Sequence, residues 1–473
     1  MSDHKYCRSL SAKSSCIRTE SKMLSKEDND LLTRVGPGTL MGTMLRQYWI
    51  PVLFSSEVMA DGTPERLRIM GEDLLAFRAS DGRVGILAEN CPHRGASLYF
   101  GRNEESGLRC IYHGWKFDTE GHCVDMPNEP PESNFADKVR IKAYPCIEKA
   151  GTIWTYMGME RPAPPLPALE WLDLPESHSR GSKRVQYSNW VQAMEGDIDQ
   201  SHLSFTHSSL RVPEVSPGER PTVQQVAAFD KHPRFEVVDQ PCGYTVGATR
   251  STPDPDVSYT RITQWLMPFH TMTGVTGFNP VRGWRAWVPI DDFNTVVIGI
   301  SFHPLTPLAE LNRDGGAGGG QGARPGGTRG GVANISDDMK EPKTSKPFGA
   351  WRPLPTIEND FFQDRALQKN ETFTGIREFW AQDAAPQLSM GFIFQRQYEH
   401  LGTTDRAIIQ ARRHLLNAAK TLSSDGASPP GVWNPEWYQV RSGGKFHGAD
   451  EWWFAATEQD RKAIAGTNPD CSV

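Results

Sequence analysis

The chain has 473 residues, a hydrophobic content of 38% and a formal net charge of −6. That charge argues against a nucleic-acid-binding surface, and no run approaches the ~20 apolar residues needed to cross a bilayer. The length allows two or three domains.

Met1 to Lys22 is polar, mixed in charge and rich in serine, without the apolar stretch of a signal peptide. It is expected to be a disordered extension ahead of a folded start at Met23-Leu24-Ser25. Cys7, Cys16, Cys123, Cys146, Cys242 and Cys471 are scattered without framework spacing. Such free thiols suit a reducing compartment and predict a cytoplasmic protein. Residues 23–46 read as a short helical lead. Residues 47–158 then alternate apolar and polar positions in short runs, such as Leu67-Arg68-Ile69-Met70 and Leu74-Leu75-Ala76-Phe77-Arg78, with turns at Ser80-Asp81-Gly82 and Glu120-Gly121. This pattern predicts a small antiparallel β domain.

Within that domain stand Cys91-Pro92-His93 and, sixteen residues later, Cys110-Ile111-Tyr112-His113. Each cluster pairs a cysteine with a histidine, whereas zinc sites more often pair like with like. The mixed pairs let one iron of a [2Fe–2S] centre take two thiolates and the other two imidazoles. Neutral imidazole in place of thiolate removes negative charge and raises the reduction potential. The runs Cys91-Pro92-His93-Arg94-Gly95-Ala96 and Cys110-Ile111-Tyr112-His113-Gly114-Trp115-Lys116-Phe117 resemble the two ligand loops of a Rieske domain. A structural zinc site is the alternative.

Arg161-Pro162-Ala163-Pro164-Pro165-Leu166-Pro167 suits neither helix nor central strand and reads as a linker. Beyond it, residues 159–473 form a second domain. Asp199-x-x-His202-x-x-x-x-His207 is read as a helical segment that sets two histidines five apart, looser than i,i+4, so that a helix end or local unwinding is needed for both rings to converge. Two imidazoles and a carboxylate on one side make the facial triad of non-haem Fe(II) oxygenases, with the remaining positions open for dioxygen. Strands follow, as in Thr260-Arg261-Ile262-Thr263-Gln264-Trp265 and Thr295-Val296-Val297-Ile298-Gly299-Ile300. Residues 315–331 are nearly all Gly, Ala, Arg and Thr and read as a mobile surface insertion. A helical pattern runs from Arg406 to Leu416. Trp433, Trp437, Trp452 and Trp453 mark a C-terminal segment that either packs on the second domain or forms an aromatic wall near a pocket or subunit contact.

Taken together, the two metal motifs resemble the oxygenase (alpha) subunit of a Rieske non-haem iron aromatic-ring oxygenase, within the phthalate 4,5-dioxygenase-like group that includes aryl-ether O-demethylases. The resemblance runs from about Met23 to about residue 420. It includes Leu32-x-x-Val35-Gly36-Pro37-Gly38-Thr39-x-Met41-Gly42, the segment Asn189 to Asp199, Ala381-Gln382-Asp383-Ala384, and Glu399-His400-Leu401-Gly402-Thr403-Thr404-Asp405. It implies an α+β protein: an N-terminal antiparallel β Rieske [2Fe–2S] domain, then a catalytic domain with an antiparallel sheet packed by helices, of helix-grip type.

The resemblance also implies roles. Cys91, His93, Cys110 and His113 hold the [2Fe–2S] cluster. His202, His207 and Asp383 hold mononuclear Fe(II), with Glu195, Asp197 and Glu378 as weaker carboxylate candidates. Asp199 becomes an electron-transfer bridge between subunits of a trimer or stacked trimers, accepting hydrogen bonds from His202 and from a neighbour's His113. The alternative for Asp199 is a helix cap. Electrons come from NADH through a separate flavin/iron–sulfur reductase, with or without a ferredoxin, since the chain carries no Gly-x-Gly-x-x-Gly nucleotide fingerprint. The expected reaction is dihydroxylation of an aryl carboxylate by O2, or O-demethylation of an aryl ether. An arginine would suit a carboxylate, and Arg211, Arg250, Arg261, Arg282 and Arg285 lie in the appropriate half. A non-catalytic iron–sulfur electron carrier is the reading of a different class.

Overall fold

Ser25 and Thr39 begin the described fold by capping two short helices. Ser25 Oγ accepts from Asp28 N–H ahead of α1 (Lys26–Thr33), and Thr39 Oγ1 accepts from Gly42 N–H ahead of α2 (Leu40–Leu45). Both helices lie within residues 23–46. The structure is a computed structural model, and it describes residues 24–212, 214–216, 219–274, 281–311 and 335–463. The readings made for residues 1–22 and 315–331 therefore lie outside the described residues, as do Cys7, Cys16 and Cys471.

The N-terminal domain consists of β1 (Trp49–Phe54), β2 (Glu65–Ile69), β3 (Glu72–Arg78), β4 (Val84–Ala88), β5 (Arg102–Glu104), β6 (Gly107–Arg109), β7 (Lys116–Phe117), β8 (Cys123–Asp125), β9 (Ala143–Tyr144), β10 (Cys146–Lys149) and β11 (Thr152–Tyr156). They pair antiparallel in three sheets, β1-β11-β10, β2-β3-β4-β9 and β5-β6-β7-β8. In β2, Leu67 and Ile69 turn inward while Arg66 and Arg68 turn outward, the period-2 pattern visible in the sequence. Leu75, Phe77, Leu87, Leu98, Leu108, Trp115 and Phe117 form a small core beside Cys91 and Cys110. The two cysteine loops therefore rest on packed apolar side chains.

The second domain opens with β12 (Ser179–Gln186), α3 (Trp190–Ile198) and α4 (Val223–Phe229). It continues through β13 (Arg234–Gln240), β14 (Gly243–Ser251), β15 (Val257–Leu266), β16 (His270–Met272), β17 (Arg282–Pro289) and β18 (Thr295–Phe302). Then come α5 (Leu308–Leu311), α6 (Arg365–Asn370), α7 (Phe379–Ser389), α8 (Arg406–Asp425), β19 (Gly443–Gly448) and α9 (Trp453–Ala456). The strands form one antiparallel sheet in the order β12-β18-β17-β16-β15-β14-β13, with β19 also pairing β15. Helix α3 lies on β15, β16 and β17, flanked by α7 and α8. Ala407, Ala411, Leu415, Ala418 and Ala419 form the buried stripe of α8, which runs on to Asp425 and ends at Gly426 with φ +67°. The linker from Arg161 to Pro167 has no regular structure.

The two domains are packed together. Met70 and Gly71 N–H donate to the carbonyls of Pro289 and Ile290, both at 2.9 Å. Trp154 of the first domain packs against Trp171 and Trp284, with ring centroids 6.1 and 5.9 Å away. Lys183 of β12 is buried against Glu57 of the first domain. At the C-terminus, Trp453 is buried over Gly247, where any β-carbon would collide with the indole. Trp437 packs on the core, while Trp433 and Trp452 stay exposed.

One expectation is corrected. No single helix spans Asp199 to His207. Helix α3 stops at Ile198, Asp199 follows in extended conformation (φ −63°, ψ 128°), and His202–Ser204 form a separate 3₁₀ turn. Asp199 Oδ1 accepts from Ser201 N–H and from Ser201 Oγ–H, at 2.7 and 2.8 Å. That carboxylate competes with helical hydrogen bonding and redirects the chain. The redirection lets histidines five residues apart face each other, which a continuous helix would not allow.

Candidate metal centres

The two cysteine loops use the same turn. Cys91 N–H donates to Ala96 O at 2.8 Å and Gly95 N–H to Cys91 O at 2.9 Å. Cys110 N–H donates to Trp115 O at 2.9 Å and Gly114 N–H to Cys110 O at 3.1 Å. Each turn needs a residue four after the cysteine with positive φ, supplied by Gly95 (+76°) and Gly114 (+78°). The loops differ in placing histidine two or three residues after the cysteine.

These loops bring all four candidates together. The His93 and His113 rings lie 4.4 Å apart, and Trp115 stacks on His93 at 4.3 Å with planes 13° apart. Cys91 and Cys110 are buried. Burial, with the Cys110 thiol alongside, pushes the Cys91 thiol up to about 11. Desolvation and the neighbouring His93 and Arg94 hold the His113 imidazole below its ordinary value. His113 Nδ1 is buried and has no hydrogen-bond partner. An orphaned imidazole nitrogen beside two buried thiols is the donor set a [2Fe–2S] cluster uses with mixed ligation. The residues fit the group.

In the second domain His202, His207 and Asp383 converge, and their donor atoms all lie within 4.8 Å of one another. His207 Nε2 is 3.1 Å, and His202 Nε2 3.6 Å, from Asp383 Oδ1. The opposite nitrogen of each ring is already engaged. His202 Nδ1 lies 3.5 Å from Asp199 Oδ2, and His207 Nδ1 lies 2.8 Å from Gln382 Oε1. Gln382 is itself fixed by donating to Ile376 O at 2.7 Å, and Phe379 stacks on His207 at 4.1 Å. With protons on both Nδ1 atoms, both Nε2 lone pairs point at one carboxylate oxygen. Two lone pairs and an anion facing each other suit a cation between them, so these residues fit a mononuclear metal.

Charge coupling among these groups is strong. Burial alone would raise the Asp383 carboxyl, but His207 and His202 outweigh it and, with Arg184, hold it down at about 2. Burial alone would lower the His202 imidazole, but Asp199 and Asp383 raise it above its ordinary value. Burial opposes the Asp199 charge, yet its bonds with His202 and Ser201 keep that carboxyl below the usual range.

The other carboxylate candidates are engaged elsewhere. Glu195 is paired with Arg396 at 3.0 Å and Arg412 at 2.6 Å. Asp197 accepts from Arg285 at 2.9 Å and from Thr271 at 2.5 Å. Glu378 stands at the N-cap of α7 and does not join the histidines. Among the arginine candidates, Arg211 is exposed. Arg250 donates to Gln200 O and Asp230 O, Arg261 to Gly274 O and Gln200, and Arg282 to Ser442 O. Gln382 is the site residue that sequence reading did not single out, although it directly precedes Asp383.

Comparison with known proteins agrees with this architecture. Residues 48–145 match the Rieske [2Fe-2S] domain, and residues 155–310 and 347–441 match the family described as LigXa C-terminal domain like. The chain is 41% identical over 414 residues to the 3-chlorobenzoate-3,4-dioxygenase oxygenase subunit of Comamonas testosteroni, covering 87% of this chain and 92% of that one. It is 38% identical over 405 residues to the phthalate 4,5-dioxygenase oxygenase subunit of Pseudomonas putida, covering 84% and 86%. The crystal structure of dicamba monooxygenase bound to dicamba shares the fold, with a TM-score of 0.53 at 16% identity over 81% of this chain and 99% of that one. This chain belongs to the oxygenase subunits of the Rieske non-haem iron oxygenases, and is an oxidoreductase of that family.

Proposed function

We propose that the chain, as a terminal oxygenase, cis-dihydroxylates the ring of an aryl carboxylate. Each turnover combines one arene, one O2, two electrons and two protons into one dihydrodiol. NADH supplies the electrons through a separate flavin/iron–sulfur reductase, directly or by way of a ferredoxin, in the cytoplasm. The observation that carries the reading is the convergence of His202 Nε2 and His207 Nε2 on Asp383 Oδ1. An electron carrier would have no use for that second donor set. The names of the two relatives, a chlorobenzoate and a phthalate dioxygenase, support the substrate class.

In this reading Cys91, His93, Cys110 and His113 hold the cluster, and His202, His207 and Asp383 hold iron. When bound, the cluster supplies one-electron transfer and the iron supplies dioxygen activation. The protein's own part is positional. Gln382 and Asp199 keep the protons of His207 and His202 on Nδ1, so that both Nε2 lone pairs stay available. Asp199 bridges to His113 of a neighbouring subunit in a trimer or stacked trimers, which couples the protonation of two imidazoles across an interface. Its hydrogen bonds from Ser201 leave Oδ2 turned towards His202.

The test is turnover of 3-chlorobenzoate and phthalate with NADH and a reductase of this family, following O2 uptake and product. A diol formed with one O2 consumed per NADH is expected. Formaldehyde from aryl methyl ethers, with no reaction of either carboxylate, would replace ring dihydroxylation by O-demethylation.

A further inference from the structure

Lys183 and Arg184 are adjacent on β12, so strand alternation sends them to opposite faces of the sheet. Lys183 faces the N-terminal domain and is neutralised there by Glu57. Arg184 and Gln186 face the helices, where Gln186 donates to Gln387 of α7 at 2.5 Å. Through the ladder, Arg184 aligns with Val297 of β18, and Val297 with Trp287 of β17. The Arg184 guanidinium ends up 5.7 Å from the Trp287 ring centroid and 5.8 Å from that of Trp380. Trp380 lies one helical turn before Asp383 on α7. Arg184 therefore sits on the side of the sheet that carries the metal triad.

Arg184 is 6% exposed, its Nε is buried without a partner, and it makes no hydrogen bond or ion pair with any described residue. A buried guanidinium ordinarily has an anion or carbonyl acceptors. The other buried arginines among the described residues, Arg250, Arg261, Arg285, Arg396, Arg412 and Arg441, all have such acceptors. The nearby charges explain why Arg184 differs. Asp197 is bound by Arg285, and Asp383 is the remaining anion with which Arg184 interacts electrostatically. Once a divalent cation occupies the triad, Asp383 is spent on the metal, and this face carries excess positive charge.

Resting on the aryl-carboxylate reading above, we propose that Arg184 is the specificity-determining residue that receives the substrate carboxylate, through a guanidinium left unpaired between Trp287 and Trp380 beside the iron ligands. A guanidinium can hold a carboxylate by two parallel hydrogen bonds, and an anion here restores neutrality. The flanking indoles exclude water from the pair, which strengthens it. Neutral arenes cannot provide that partner, so the charge selects as well as orients.

The experiment uses the iron-loaded, cluster-bearing enzyme under anaerobic conditions, with 3-chlorobenzoate and its neutral analogue 3-chlorobenzamide as probes in calorimetric titrations. Losing one side of a charged hydrogen-bonded pair predicts that Arg184→Gln binds 3-chlorobenzoate about 100-fold more weakly. Binding of 3-chlorobenzamide should stay within about threefold of wild type, and steady-state KM for the carboxylate should rise with a smaller change in kcat. Arg184→Lys keeps the charge but loses the paired geometry, so it should fall between the two. Iron content and the cluster absorbance report whether each variant is intact. Wild-type affinity for 3-chlorobenzoate in Arg184→Gln overturns the inference and leaves the proposed reaction standing. Loss of iron in Arg184→Gln, with Arg184→Lys keeping both iron and full carboxylate affinity, makes Arg184 a balance for Asp383 and also overturns it. A wild-type enzyme that oxygenates neutral arenes and ignores both carboxylates removes the substrate class, and this inference with it.

Discussion

Replacing Gln382 by leucine removes the acceptor of the His207 Nδ1–H, which lies 2.8 Å away in a setting where Gln382 is 5% exposed. Leucine is close in volume, so packing on α7 changes little, but an imidazole N–H is left facing an apolar group. Such an unsatisfied buried donor costs ~1–3 kcal/mol. The free ring can escape the cost by flipping or moving its proton to Nε2, and either change withdraws the lone pair that faces Asp383. The whole cost therefore falls on metal binding, a loss of about 10- to 100-fold in Fe(II) affinity, the range usual for partners that orient a ligating histidine. Gln382→Glu keeps an acceptor for His207 but loses the donor to Ile376 O, so it should lose less affinity than Gln382→Leu. The assay is Fe(II) competition against a chromogenic chelator, with cluster absorbance as an internal standard for folded protein. If Gln382→Leu holds Fe(II) within about twofold of wild type, stacking on Phe379 at 4.1 Å suffices to orient His207, and the hydrogen-bond argument is refuted.

Asp383→Ala should lower total iron from about three to about two per chain while keeping the cluster spectrum, because Cys91, His93, Cys110 and His113, the proposed cluster ligands, lie on other loops. Full iron and turnover in that variant would show that another carboxylate is the ligand. Asp199→Asn should load both centres yet slow oxidation of the reduced cluster by orders of magnitude in single-turnover stopped-flow; an unchanged rate, with only ~1 kcal/mol of lost stability, would leave a cap-like role. His270 is 1% exposed and its Nδ1 has no partner, and burial pushes its pKa down to about 3. Between that value and the unfolded value of ~6.5, the unfolded chain binds a proton that the folded chain does not, so this contribution is complete above ~6.5 and is lost as pH falls, by up to ~1.4 kcal/mol per pH unit. Urea midpoints measured from pH 7 to pH 5 should therefore drop less steeply in His270→Phe than in wild type, and parallel curves would show that His270 does not titrate in this way.

What could be read from the chain alone was whatever local spacing encodes. Cys91, His93, Cys110 and His113 fall within two tight turns whose glycines recur at the same offset, so both the donor set and its conformation are written in short runs. His202 and His207 were legible for the same reason, although the helix assumed between Asp199 and His207 is broken by the Asp199–Ser201 hydrogen bonds. Asp383 is a candidate only through family resemblance, because nothing in its own neighbourhood marks a ligand; the fold brings it to His202 and His207. Gln382 and Arg184 were out of reach. The first contacts a residue 175 positions earlier in the chain. The second is one arginine among many, distinguished only by which face of β12 it occupies and by the partners its neighbours have already taken. Strand register decides the face, and three-dimensional packing decides which buried charges are neutralised. Local spacing can name the donors of a metal site, but whether a buried charge is left unpaired depends on every group around it, and only the folded chain brings those groups together.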